Sequence, residues 1–334
     1  MNTVIAFSSF KRNIDSLAAA LAGFIIIALF TKHSGIGISP DSIVYTSVAR
    51  NLQTGKGLID YSGTPLVDFP AFYPIFLFCI SFVTRLDVIA FAPILNGVLF
   101  AAVIYTSGCI MEQLIHRSKL YKWLVLICIV MSPALIEVYS MLWSETLFIF
   151  LSLLFFIAIK NHLEQHTGKS LLFISIIAAI AFVTRYAGIT FLAVGGLMIL
   201  FDRNIDQIKK VIHFLLFGCI GVSLALINFI RNLLAAGLLA GARQKGITPL
   251  GKNIEYYGAV LYSWIGFQST NHSLIFWGGI ILSIIFIIIF LTRIIPYLHY
   301  ASYENIALIF FIIYTSFIVL SSTFSRYETI NSRL

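Results

Sequence analysis

Charge is scarce in this chain: Asp, Glu, Lys and Arg make up 11% of its 334 residues, and only 14 residues are acidic. A soluble domain keeps about a quarter of its residues charged to cover its surface, so that class is excluded. Cysteine is also rare, and Cys79, Cys109, Cys128 and Cys219 lie in apolar surroundings without metal-type spacing. They are therefore expected to be small core residues. The seven histidines include no HExxH motif, so no histidine metal site is expected. The formal charge of +8 is spread over the loops rather than gathered in one basic patch. That spread argues against nucleic acid and points to anionic lipid headgroups or phosphates as partners.

What the chain has instead is apolar residues, 59% of the total, with a mean hydropathy of +0.96. A bilayer-crossing helix needs about 20 mostly apolar residues, and about nine runs qualify, centred near residues 23, 100, 131, 152, 178, 195, 220, 284 and 315. The expected fold is an all-α polytopic membrane protein, one transmembrane domain over residues 1–334. Leu17 to Phe30, behind Lys11 and Arg12, is expected to stay as a signal anchor.

A cytoplasmic N-terminus makes the inner loops short, and these hold 11 of the 22 basic residues at high density. Seven of the inner eleven are lysine, whereas seven of the outer eleven are arginine: Arg50, Arg85, Arg185, Arg231, Arg243, Arg326 and Arg333. Arginine grips phosphate with two parallel hydrogen bonds and keeps its charge.

The first outer loop, residues 31–87, is the most informative stretch. Ser39 can cap a helix with Pro40 at its first position, and Gly55 and Gly57 stop it. On that helix Asp41, Val44, Tyr45, Val48 and Leu52 share one face, so an acid points the same way as the apolar stripe. Pro65, Pro70 and Pro74 stiffen the exit, past Asp60 and Asp68, and Ile75 to Thr84 is expected to lie in the interface. Glu145 falls at the outer end of a later span, with Ser144 as its cap, and Arg185 follows another. Both acids can equally serve as first-turn partners of a helix dipole, and Arg185 can simply snorkel. A second outer loop, residues 231–273, mixes arginines with Tyr256, Tyr257, Tyr262 and Trp264, as an aromatic belt or a headgroup site would.

The order of these motifs resembles the GT-C superfamily of polyprenyl-phosphate-sugar-dependent glycosyltransferases, nearest the branch of protein O-mannosyltransferases and the lipid A aminoarabinose transferase. The motifs are Asp41 soon after the first span, YxxxARNLxxGKG from Tyr45, SETLF from Ser144, TRYAG from Thr184 and RNxxxxGxxxGAR from Arg231. The resemblance implies an inverting transfer of a sugar from a polyprenyl-phosphate donor to a hydroxyl of a glycan, lipid or protein, on the outer face of the cytoplasmic membrane. It implies Asp41 as the catalytic acid or base and Glu145 as a second acid in the same cavity, the two that would hold a divalent metal if one takes part. Where the family often has a Lys-Pro-Pro element, this chain has Asp68 to Pro74, which shifts the donor phosphate to Arg185, Arg243 or Arg326. Tyr45, Asp68 and Tyr186 are expected to line the substrate cavity. Family members continue with further spans, so the resemblance implies a C-terminally truncated chain or a short member.

Two other classes compete with that reading, a lipid-linked sugar transporter or flippase and a polysaccharide polymerase. Carriers place ionisable groups near the bilayer midplane, and no apolar run here has one at its centre.

Overall fold

A computed structural model describes residues 13–114, 119–263 and 300–325, with a few positions between 277 and 288 and residue 330. Among the described residues there is no strand. The helices are, in chain order, α1 (Ile14–Thr31), α2 (Pro40–Gln53), α3 (Phe72–Thr84), α4 (Val88–Leu114), α5 (Lys119–Val130), α6 (Pro133–Ser140), α7 (Glu145–Gln165), α8 (Gly168–Thr184), α9 (Ile189–Phe201), α10 (Gln207–Ala236), α11 (Leu250–Ser263) and α12 (Tyr303–Phe324). A single 3-10 turn, Tyr186–Gly188, separates α8 from α9.

Five of these, α1, α4, α7, α10 and α12, are long and apolar enough to cross a membrane. The α5–α6 pair makes a sixth if counted as one span, bent by 47° where Ser132 and Pro133 start a new helix. Among the described residues the count is therefore five, or six with the bent pair, against the nine expected for the whole chain. Helices α8 and α9 have 17 and 13 residues, about 26 and 20 Å at 1.5 Å per residue, less than the roughly 30 Å of a hydrocarbon core. The run near residue 284 lies mostly outside the described residues.

The threading follows from which ends meet. At one end Lys122 of α5 reaches Asp15 of α1 at 2.8 Å and Glu112 of α4 at 2.9 Å. Tyr303 at the start of α12 meets Gln113 of α4 there, and Tyr300 donates to the Met198 carbonyl of α9. At the other end Gly37 bridges to Met141, and Asn96 of α4 donates to the carbonyls of Tyr139 and Met141. Lys245, beyond α10, bridges to Ser325, just after α12. Helices α1, α10 and α12 therefore run from the first end to the second, and α4 and α7 run back. Helix α1 packs closely on α4, where small residues let the backbones approach: Gly97 takes the Phe24 ring and Gly108 faces Ser16.

The first loop lies across the second end. Helix α2 begins as its sequence requires, with Ser39 and Ser42 capping each other and Pro40 at the first position. It stops after Gln53, and Gly55 and Gly57 both take positive φ. Helix α3 starts one turn earlier than expected and runs parallel to α2, the Tyr45 ring against Tyr73 at one end and Gln53 bonded to Ser81 at the other. Arg50 grips Asp87 through two 2.8 Å bonds just before α4, so α3 returns to the end from which it left. Between them Asp60 accepts four bonds from Ser62 and Thr64, closing a tight turn.

Two further expectations are corrected. Cys79, Cys128 and Cys219 are exposed and Cys109 is half-buried, so none is a core residue. An outer surface that meets lipid accepts a thiol as readily as a core does. The second loop also starts later than residue 231, because α10 continues to Ala236 and ends on Gly237 in the left-handed conformation.

Candidate active site

A cavity of about 600 Å³ opens at the end of the bundle that carries α2 and α3. Asp41, Tyr45, Asp68, Glu145, Arg185, Tyr186 and Arg243 all line it. These residues span some 200 positions of sequence, and the fold brings them together because α2, the α6–α7 turn, the break after α8 and the loop after α10 all end here. Arg326 lies outside the described residues.

Helix α2 presents Asp41 half-buried and Tyr45 buried on its cavity face, with Val48 beneath. Tyr45 packs edge-on to Phe69 and Tyr73, and its hydroxyl lies 3.4 Å from Ser144 Oγ. Burial pushes the Tyr45 phenol well above its ordinary pKa, so it serves as a neutral hydrogen-bonding group.

Ser144 stands immediately before α7 but does not cap it, since its own backbone is helical. Its hydroxyl instead accepts from Arg185 Nη1 at 3.1 Å and donates to Glu145 Oε2 at 3.4 Å. Arg185 and Glu145 form an ion pair at 2.5 Å, with 19% and 7% of the side chains exposed. Burial alone would lower the Arg185 pKa, but the Glu145 carboxylate outweighs it and raises it above the ordinary arginine value. The pair therefore enters the cavity wall as a fixed, internally neutral dipole. Glu145 balances Arg185, and among the described residues no group of three His, Cys, Asp or Glu side chains is arranged to hold a metal ion.

The opposite wall is built from the Pro-rich exit of the first loop. Three successive carbonyls are each held by a different element: Leu66 by Arg231 of α10, Val67 by the Tyr186 hydroxyl, Asp68 by Arg243. Arg243 lies 5.5 Å over the Tyr186 ring, which stacks in turn on Phe229. It is exposed, unlike Arg185, and it carries its cation at the cavity mouth. Gly241 has a φ of +76° and its α-carbon lies directly against the Asp68 carboxylate, so a side chain there meets both strain and a collision.

The last wall was not expected from sequence. Phe317, Ile318, Ser321 and Ser322 of α12 close the cavity. Ser321 and Ser322, next to Thr323 near the end of a largely apolar span, were its available signal. No family model matches this chain, and no curated protein and no solved structure matches it.

Proposed function

We propose that this protein is an inverting glycosyltransferase that moves a sugar from a polyprenyl-phosphate donor to an acceptor hydroxyl. The reading rests on one observation: one cavity at an end of the helix bundle joins the Asp41 carboxylate, a neutral tyrosine and serine, and two arginines. The cytoplasmic membrane, with the cavity on its outer face, is the location that fits the distribution of basic residues.

The chemistry assigns the parts. The acceptor hydroxyl loses its proton to the Asp41 carboxylate as its oxygen bonds to the anomeric carbon. The bond from that carbon to the phosphate oxygen breaks, and the electron pair leaves with the polyprenyl phosphate. One displacement without a carboxylate nucleophile inverts the anomeric centre. Arg185 is already neutralised by Glu145, so the charge gained by the leaving phosphate falls to Arg243, which is exposed at the mouth. The Glu145–Arg185 dipole and the Tyr45 and Ser144 hydroxyls orient the sugar. Phe69, Phe317 and Ile318 give the cavity apolar surface suited to a sugar face or the first isoprene unit.

Purified protein in lipid vesicles, given a polyprenyl-phosphate sugar and a short-chain alcohol acceptor, is expected to release polyprenyl phosphate. Asp41→Asn lowers turnover by about a hundredfold or more, the loss of a general base, at unchanged expression. Near-normal transfer by that variant removes Asp41 from the mechanism, and sugar movement across the bilayer without bond cleavage favours a carrier.

A further inference from the structure

At the end of the bundle opposite the cavity, three imidazoles meet one carboxylate. His162, near the end of α7, is fully buried, and its ring centre lies 5.3 Å from that of His213 on α10 and 6.1 Å from that of His166. His162 and His166 stand four apart in sequence, on the same face of the helix end. The His162 Nδ1 is 2.9 Å from Ser170 Oγ at the start of α8. His166 takes a left-handed φ of +52°, and its Nε2 is 2.6 Å from Oδ2 of Asp202, a fully buried carboxylate just after α9. The Nδ1 of His213 is buried without a hydrogen-bond partner.

We propose that this cluster is a proton-responsive joint that holds the ends of α7, α8, α9 and α10 together when its rings are neutral and loosens when more than one is charged. The inference is independent of what the cavity binds. The charged and titratable groups facing His162 are His166, His213 and Asp202, and those facing His213 include His166 and Lys209. Asp202 balances one imidazolium. A second would stand in ring contact with the first, with Lys209 also facing His213, and two like charges at 5–6 Å in a partly buried setting repel. The uncapped His213 Nδ1 is the place where such a proton would land. The joint also bears on the cavity through rigid elements: α7 carries Glu145 at its start and His162 near its end, and α8 carries Ser170 in its first turn and ends just before Arg185, so the ion pair and the cluster sit at opposite ends of the same helix hairpin.

The test is the thermal unfolding midpoint of the full chain in detergent micelles, followed from about pH 8 to about pH 5.5 across the ordinary histidine range. The unfolded chain takes up protons freely over this range and the packed cluster does not, so stability falls as pH falls. We expect a drop of about 3–6 °C for the native chain, a size set by the usual conversion for a chain of a few hundred residues, and at most half that drop for His213→Gln. Equal drops in both proteins, or none in the native chain, overturn the proposal. Should His213→Gln fail to fold, nitrogen-15 histidine spectra of the native chain decide instead. A ring still neutral near pH 5.5 supports the joint, and independent titration of every histidine near its free value of about 6.5 overturns it.

Discussion

The Glu145–Arg185 pair shows what burial does to a charge at the scale of single residues. Each side chain alone would be an uncompensated ion in the wall of the cavity; together, with the Ser144 hydroxyl between them, they form a neutral unit. Glu145→Gln is expected to destabilise the fold by about 3–5 kcal/mol, because it leaves the guanidinium buried without its partner. The double change Glu145→Leu with Arg185→Met should recover most of that loss in chemical unfolding, since two apolar side chains carry no desolvation penalty. If the single variant unfolds like the native chain, the pair is solvated and the cavity is wetter than its geometry suggests. Asp41 and Arg243 were legible in the sequence as polar residues of the two outer loops, and Glu145 and Arg185 as polar residues at the ends of apolar runs. Their pairing was not, because nothing in the spacing of residues 145 and 185 says that α7 and α8 close against each other. The same limit explains Ser144, readable as a helix cap and found instead as a bridge.

Among the elements, α2 is the one most completely determined by its own residues. The Ser39 and Ser42 capping box, Pro40 and the two terminal glycines define both ends before any tertiary contact forms. Ser39 Oγ also accepts a 2.8 Å bond from Trp143 Nε1, which ties the helix start to the turn before α7. Ser39→Ala is therefore expected to cost about 1 kcal/mol from the cap and roughly another from the lost tryptophan bond, read as a lower unfolding midpoint. A change within a few tenths would mean that the cap is dispensable once α2 packs on α3. Helices α8 and α9 illustrate the opposite case. Their residues are mostly apolar, so hydropathy alone counts them as spans, yet the Tyr186–Gly188 turn breaks the backbone where Arg185 must face the cavity. A pattern of hydropathy reports the solvent of a segment and not its length.

For the whole molecule, the consequence is a threading that can be checked. In a cysteine-free background, Tyr61→Cys and Ile247→Cys, both well exposed at the cavity end, should react with a membrane-impermeant thiol reagent from one side of a sealed vesicle. Arg203→Cys, between α9 and α10, should react only from the other. Labelling of all three from one side would break this threading and with it the common cavity. By itself, the sequence determined that this chain carries segments apolar enough for a bilayer, that it is helical, where α2 begins and ends, and which polar residues flank the apolar runs. Those properties follow from local composition and from the cost of an unpaired backbone in lipid, both of which act over a few residues at a time. Only the tertiary structure decided that Arg185 is spent on Glu145, that α12 supplies the last wall, and that three histidines share a pocket at the far end. Contacts between segments tens to hundreds of residues apart depend on how helix faces pack, and apolar faces in lipid leave almost no mark in the sequence to say which neighbour they will choose.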